Sequence, residues 1–222
     1  MITFYHARFA ILCEMLTILR TIIDAIFPPR PETLLVRALT AQVMQSQSVP
    51  SRYRELHYLY DYQSPTIRAL IHENKYYKNK TAARLLAVGL ADWLATLARA
   101  QSAPILLVPI PLSQKRHRER GYNQVLEILN ALPPLPGVQR DDRLLTRPIH
   151  TPSQTALTRS ERLKNVTGAF HTTPADYRRY SGRTMVIIDD VVTTGSTLMA
   201  ARATLARQLP RDCRIILLAL AH

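Results

Sequence analysis

"VIIDDVVTTGST", residues 186–197, begins as a buried strand and turns polar within one dipeptide. Two adjacent carboxylates, Asp189 and Asp190, close the apolar run, and Thr193, Thr194, Gly195, Ser196 and Thr197 follow. A glycine between a strand and a helix permits a tight loop whose backbone N–H groups converge, and the helix N-terminus adds its positive dipole end. The hydroxyls donate as well, so the row reads as a cradle for a phosphomonoester. Carboxylates cannot bind phosphate. They suit a hydroxyl-rich neighbour such as ribose, whose 2′ and 3′ hydroxyls donate to them. A ribose 5′-phosphate satisfies both halves. A capped strand end followed by a Ser/Thr helix cap would explain one or two of these residues but not their order.

Working outward, apolar strands alternate with helices. "PILLVPIP" (104–111) reads as a strand, "YNQVLEILNAL" (122–132) as a helix and "RLLTR" (143–147) as a short strand. "RTMVIIDD" (183–190), "GSTLMAARATLARQL" (195–209) and "CRIILLAL" (213–220) give strand, helix and strand. Continuous apolar strands of this kind belong to a mostly parallel sheet covered on both faces, an α/β architecture whose ligands bind beyond the carboxyl ends of the strands. Upstream, residues 81–100 place Leu85, Leu86, Leu90, Trp93, Leu94 and Leu97 on one helical face. "SPTIRALIHENKYYKNK" (64–80) reads as a short helix and a basic loop, and "RYRELHYLYDYQ" (52–63) alternates as one half-buried strand. The polar stretch from 148 to about 167 carries no clear period.

The chain has 222 residues and a formal charge of +13, with Lys and Arg outnumbering Asp and Glu by 29 to 16. So basic a surface points to polyanionic partners, a phosphate-rich small molecule or nucleic acid among them. Two cysteines, Cys13 and Cys213, supply neither a disulfide framework nor a cysteine-based zinc site, and a cytoplasmic location is the expectation. Near the N-terminus Phe9, Leu12, Leu16, Leu19, Ile23 and Ile26 recur at helical spacing. Arg8, Glu14, Arg20 and Asp24 interrupt the segment well short of the roughly 20 apolar residues of a membrane span. "FPPRPE" (27–32) ends that helix, and residues 33–49 read as a short helix and a connector.

"VIIDDVVTTGST" resembles the phosphoribosyl diphosphate (PRPP) motif of type I phosphoribosyltransferases. Three further segments narrow the branch. "LLVPIPLSQKRHRERGYNQ" (106–124), "LTRPIHTPSQTALTRSERLKNVTGAF" (145–170) and "YQSPTIRALIHENKYYKNK" (62–80) are similar to segments of the ComF family, in the same order. The resemblance implies a type I phosphoribosyltransferase-like α/β domain at 58–222, preceded by an N-terminal helical segment and connector at 1–57. It assigns the ribose to Asp189 and Asp190, and the 5′-phosphate to Thr193, Thr194, Gly195, Ser196 and Thr197. It places pyrophosphate beside Pro109 and a basic loop carrying Lys115, Arg116, Arg118 and Arg120. A flexible closing loop would carry Gln154, Arg159, Arg162 and Asn165. Mg²⁺ is expected with PRPP, held largely by the ligand and water. The cysteine-rich zinc module usual in the family has no ligand cysteines here, so no zinc is expected.

Two functions follow from the resemblance, and both stay open. One is a PRPP-dependent transferase that displaces pyrophosphate at C1′. The other is an accessory of competence and DNA uptake that binds single-stranded DNA with little or no transfer. The second would draw on tyrosines 53, 58, 60, 62, 76 and 77, which lie next to Lys75, Lys78 and Lys80. The ordinary reading of those tyrosines is a strand and helix face turned to the core.

Overall fold

The computed structural model describes residues 14, 15, 18, 19, 21–147, 169–173 and 175–222. Strand β7 (Thr184–Val191) carries the opening motif and lies inside a six-stranded sheet. The other strands of that sheet are β1 (Ser51–Tyr53), β2 (Leu56–Tyr60), β3 (Ile105–Pro109), β4 (Val138–Arg140) and β8 (Arg214–Ala221). Their order is β1-β2-β8-β7-β3-β4, parallel except for the β1–β2 hairpin. Two short strands, β5 (Leu145–Thr146) and β6 (His171–Thr172), pair apart from it.

Strand periodicity divides the core. Val186 and Ile188 of β7 face one layer with Leu107 and Leu218, while Met185 and Ile187 face the other with Leu106 and Leu217. The first layer is roofed by α1 (Pro31–Ala38), α2 (Ala41–Gln47), α3 (Pro65–Tyr77), α4 (Lys80–Ala100) and α6 (Gln124–Asn130). The second is covered by α7 (Ser196–Ala206), by β5 and β6, and by Tyr180. The result is the mixed α/β architecture expected, a mostly parallel sheet flanked by helices. Helix α4 is apolar and long enough to cross a membrane by composition, yet Leu86, Leu90 and Leu94 lie fully buried in the first layer.

Several local expectations change. The single strand read across 52–63 is a hairpin, because Arg54 adopts a left-handed φ of 56° and turns the chain back. The expected boundary between 57 and 58 falls inside β2, which pairs with β8. The basic run 115–120 is not a loop. It is helix α5 (Gln114–Arg120), opened by Ser113, whose Oγ accepts from Arg116 N, and closed by Gly121 at φ 73°. Residues 21–26 are helical, and Ile22, Ile23 and Ile26 are exposed.

A buried carboxylate ties α1 to the body. Glu73, 1% exposed, accepts from Arg30 at 2.8 Å, Thr33 at 3.2 Å and Asn79 at 2.8 Å. Three donors compensate the desolvation of one charge. Arg30 also lies over the ring of Tyr77.

Candidate functional site

The end of β7 lies at the carboxyl edge of the parallel strands. Ile188 O accepts from Ile110 N at 2.9 Å, so the chain leaving β3 is held beside the carboxylates that follow. The structure therefore brings residues 109–112 beside Asp189 and Asp190.

The two carboxylates differ in surroundings because strand side chains alternate. Asp190 follows the face of Val186 and Ile188, toward α6. Its Oδ2 accepts from Gln124 Nε2 at 3.0 Å and its Oδ1 from Val191 N at 2.8 Å. Gln124 is buried, and its Oε1 accepts in turn from Arg120 Nη1 at 3.0 Å. A relay thus runs from the basic helix to the buried carboxylate. Asp190 still has unused acceptor directions, since a carboxylate offers about four lone-pair sites.

Asp189 is partly exposed and accepts from Asp190 N at 2.9 Å. Burial and then the neighbouring Asp190 carboxylate push its carboxyl up to about 7, against the pull of the Arg116 cation. A carboxylate raised in this way is short of positive charge or donors, and a ligand that brings either is welcome. Arg147 stands in the same field: burial and Arg116 lower its pKa, while Asp189 opposes them. Its guanidinium lies 5.4 Å from the centre of the Phe170 ring.

The loop after β7 is open to solvent at Thr193 and Thr194. Gly195, at φ 77°, forms the left-handed residue before α7, and Thr194 Oγ1 lies 3.2 Å from Ser196 Oγ. An eleven-residue helix begins there, so hydroxyls, a left-handed glycine and a dipole end coincide. On α5, Lys115, Arg116 and Arg118 are exposed, and Arg120 is partly buried. The face nearest Asp189 is marked by Arg116, whereas Arg120 turns to Gln124 and to the Tyr76 ring, 5.5 Å away. Residues Gln154, Arg159, Arg162 and Asn165 lie outside the described residues.

Two residues of this cluster were not singled out from the sequence. Gln124 closes the "RGYNQ" segment and Arg147 is the third residue of the "LTRPIHT" segment, so their place inside matching segments was the available signal. Nothing in their own spacing gave their partners. The tyrosines separate. Tyr60 is fully buried, donating to Leu86 O and accepting from Gly89 N. Tyr58 and Tyr62 line a cavity near Thr193, and Tyr76 and Tyr77 stand exposed on α3.

No protein-family model matches the chain. It is 30% identical to Competence protein F of Haemophilus influenzae over 126 residues, 57% of this chain and 54% of that protein. It therefore spans about half the length of that relative. It is 33% identical over 160 residues to DNA utilization protein YhgH of Escherichia coli K12, covering 71% of this chain and 68% of that protein. The same protein of Salmonella typhi is 31% identical over the same length and shares. Among solved structures, a hypoxanthine phosphoribosyltransferase from Staphylococcus aureus aligns with a TM-score of 0.36 and 13% identity, over 63% of this chain and 61% of that one. With more than two thirds of the length of the YhgH proteins matched at 31–33% identity, the chain belongs to the ComF family.

Proposed function

We propose that the chain binds a phosphoribosyl ligand, PRPP or a close relative, at the carboxyl end of β7, and serves the handling of DNA. One observation carries the reading: Asp189 and Asp190 lead into a Gly195-initiated helix, with Arg116 in the field of Asp189. The names of its relatives, competence and DNA utilization, support the cellular role. In this arrangement the 5′-phosphate lies on residues 193–197 and the ribose hydroxyls donate to the two carboxylates. The pyrophosphate lies beside Pro109, Arg116 and Arg147.

Among the described residues no group of three or more His, Cys, Asp or Glu side chains is placed to hold a metal. Two carboxylates, one already engaged by Gln124, suit a Mg²⁺ ion that stays on the ligand's oxygens and keeps most of its waters. Asp189 and Asp190 would face it through the ribose hydroxyls, and it would offset charge developing on a departing pyrophosphate. Arg116 and Arg147 act on the same charge.

Calorimetry tests this directly. PRPP with Mg²⁺ should bind the wild type, and Asp189→Asn with Asp190→Asn should abolish binding while the melting transition stays cooperative. Undiminished affinity in the folded double variant would reduce the carboxylates to strand-end caps. A second reading, single-stranded DNA binding, draws on the exposed Tyr76, whose ring lies 5.7 Å from Lys75 Nζ and 5.5 Å from the Arg120 guanidinium. Exposed aromatics interleaved with cations suit sequence-indifferent stacking.

A further inference from the structure

The helical segment ahead of α1 turns an apolar stripe to solvent. Residues 14, 15, 18, 19 and 21–26 are helical, and Met15, Ile18, Leu19, Ile22, Ile23 and Ile26 are all exposed, from 48% at Ile23 to 65% at Ile26. Phe27 follows at 73%. Met15, Leu19, Ile22 and Ile26 are spaced four, three and four residues apart, the seam of a helix that packs along another helix. Ile18 and Ile23 widen that seam, while Glu14, Thr21 and Asp24 fall on the other side of the helix. The segment is tied to the body near its end. Arg37 of α1 pairs with Asp24, and Arg30, just before α1, pairs with Glu73. Leu34 and Leu35 of α1, exposed as well, add apolar surface beyond Phe27.

An apolar stripe this wide belongs in a core or against a partner. At roughly 100 Å² of open surface each, its seven side chains, Phe27 included, present on the order of 700 Å². That exceeds the patch of about 300–600 Å² that a monomer leaves open and approaches the ~800 Å² per partner of a standard interface. Charge selects the occupant. Through residue 27 the sequence carries Arg8 and Arg20 against Glu14 and Asp24, so this segment is neutral while the whole chain is +13. A helix that lies on anionic lipid has Lys and Arg along its polar face, and an acidic protein would be drawn to the basic body instead. A neutral, self-complementary stripe fits a copy of itself. Pairing in opposite directions sets Met15 against the partner's Ile26 and Leu19 against the partner's Ile22. It also keeps the two basic bodies at opposite ends of a helix about 20 Å long, beyond the Debye length of about 8 Å at physiological salt.

We infer that this stripe is a self-association surface: two copies of the chain pair their segments 14–27 antiparallel about a two-fold axis. The surface lies apart from the β7 site, and the pairing holds whether or not that site takes a phosphoribosyl ligand.

Sedimentation velocity of the full chain over a concentration series tests this. The wild type should reach twice the chain mass with a Kd on the order of 1 µM or tighter, and added salt should tighten it by screening two like-charged bodies. Leu19→Glu and Ile22→Lys, each at an exposed position, should melt as the wild-type fold does and each weaken pairing by about thirtyfold or more. Mixed together, the two variants should pair again, because the introduced carboxylate meets the introduced ammonium only in the antiparallel register. Parallel pairing gives no such rescue, so a mixture that stays monomeric overturns the antiparallel arrangement. A wild type that stays monomeric to about 100 µM overturns the inference, as does a dimer that survives both substitutions or that salt dissociates. Wild-type monomers that float with phosphatidylglycerol vesicles, and lose that binding with either substitution, assign the stripe to a lipid surface and overturn it too.

Discussion

Replacing Gln124 with alanine deletes the amide that lies 3.0 Å from Asp190 Oδ2 and 3.0 Å from Arg120 Nη1. Asp190 is 7% exposed, so water replaces the lost donor poorly. A hydrogen bond to a charged group contributes about 1.5–3 kcal/mol. The second bond, to a partly exposed arginine, adds little after solvent screening. Gln124→Ala should therefore lower the unfolding free energy by about 2–3 kcal/mol at pH 8. Gln124→Glu should be at least as destabilising at pH 8, because two carboxylates then share one buried site and repel. Urea denaturation of the three proteins at pH 8, with m-values compared, measures both effects. A Gln124→Ala deficit below about 0.5 kcal/mol would refute the relay, leaving the Val191 N–H sufficient for Asp190.

Three further outcomes follow from the carboxylates, the cation beside them and the core. Asp189 binds its proton more tightly folded than unfolded, at about 7 against 3.8, so its stabilising contribution is full below pH 4 and is lost as pH rises through 7. Asp189→Asn should remove up to about 1.4 kcal/mol per pH unit of downward slope across that window, read from denaturation midpoints. Arg147→Ala should weaken PRPP binding by about tenfold and leave ribose 5-phosphate binding within twofold, because the proposed arrangement puts the pyrophosphate beside Arg147. Gly89→Ala would put a methyl group 2.5 Å from Tyr60 Oη and 2.6 Å from Ser48 Oγ, and should cost about 1–3 kcal/mol in a melting experiment despite alanine's helix propensity.

The central strands were legible because burial on both faces demands unbroken apolar runs, and 184–191 and 214–221 have them. The turn from β7 into α7 was legible because a glycine among small hydroxyl residues marks a tight helix start after an apolar strand. The basic run was misread as a loop since its charge masked its caps. Ser113 and Gly121 bracket "QKRHRER" as a helix start and stop, and that signal stood in the sequence. The hairpin at Arg54 was hidden because neither Arg54 nor Glu55 is a turn residue and the alternation runs through them. Strand β4, three residues long beside a proline-rich stretch, carries no period to detect. Gln124 and Arg147 act through tertiary neighbours, and no local pattern encodes a partner 66 residues away.

The strand order also sets a timetable. β2 forms early in the chain, yet its parallel neighbour is β8, which follows every other strand. As the polypeptide leaves the ribosome, β2 and β7 each wait with an open edge for the segment that will slot between them. The sheet cannot seal until residues 214–221 emerge and insert as its keystone. Closure across so long a loop is slow, and two apolar edges exposed meanwhile are open to mispairing. For this fold the hazardous interval lies between the emergence of β7 and that of β8, when both flanks of the sheet exist but its middle is missing.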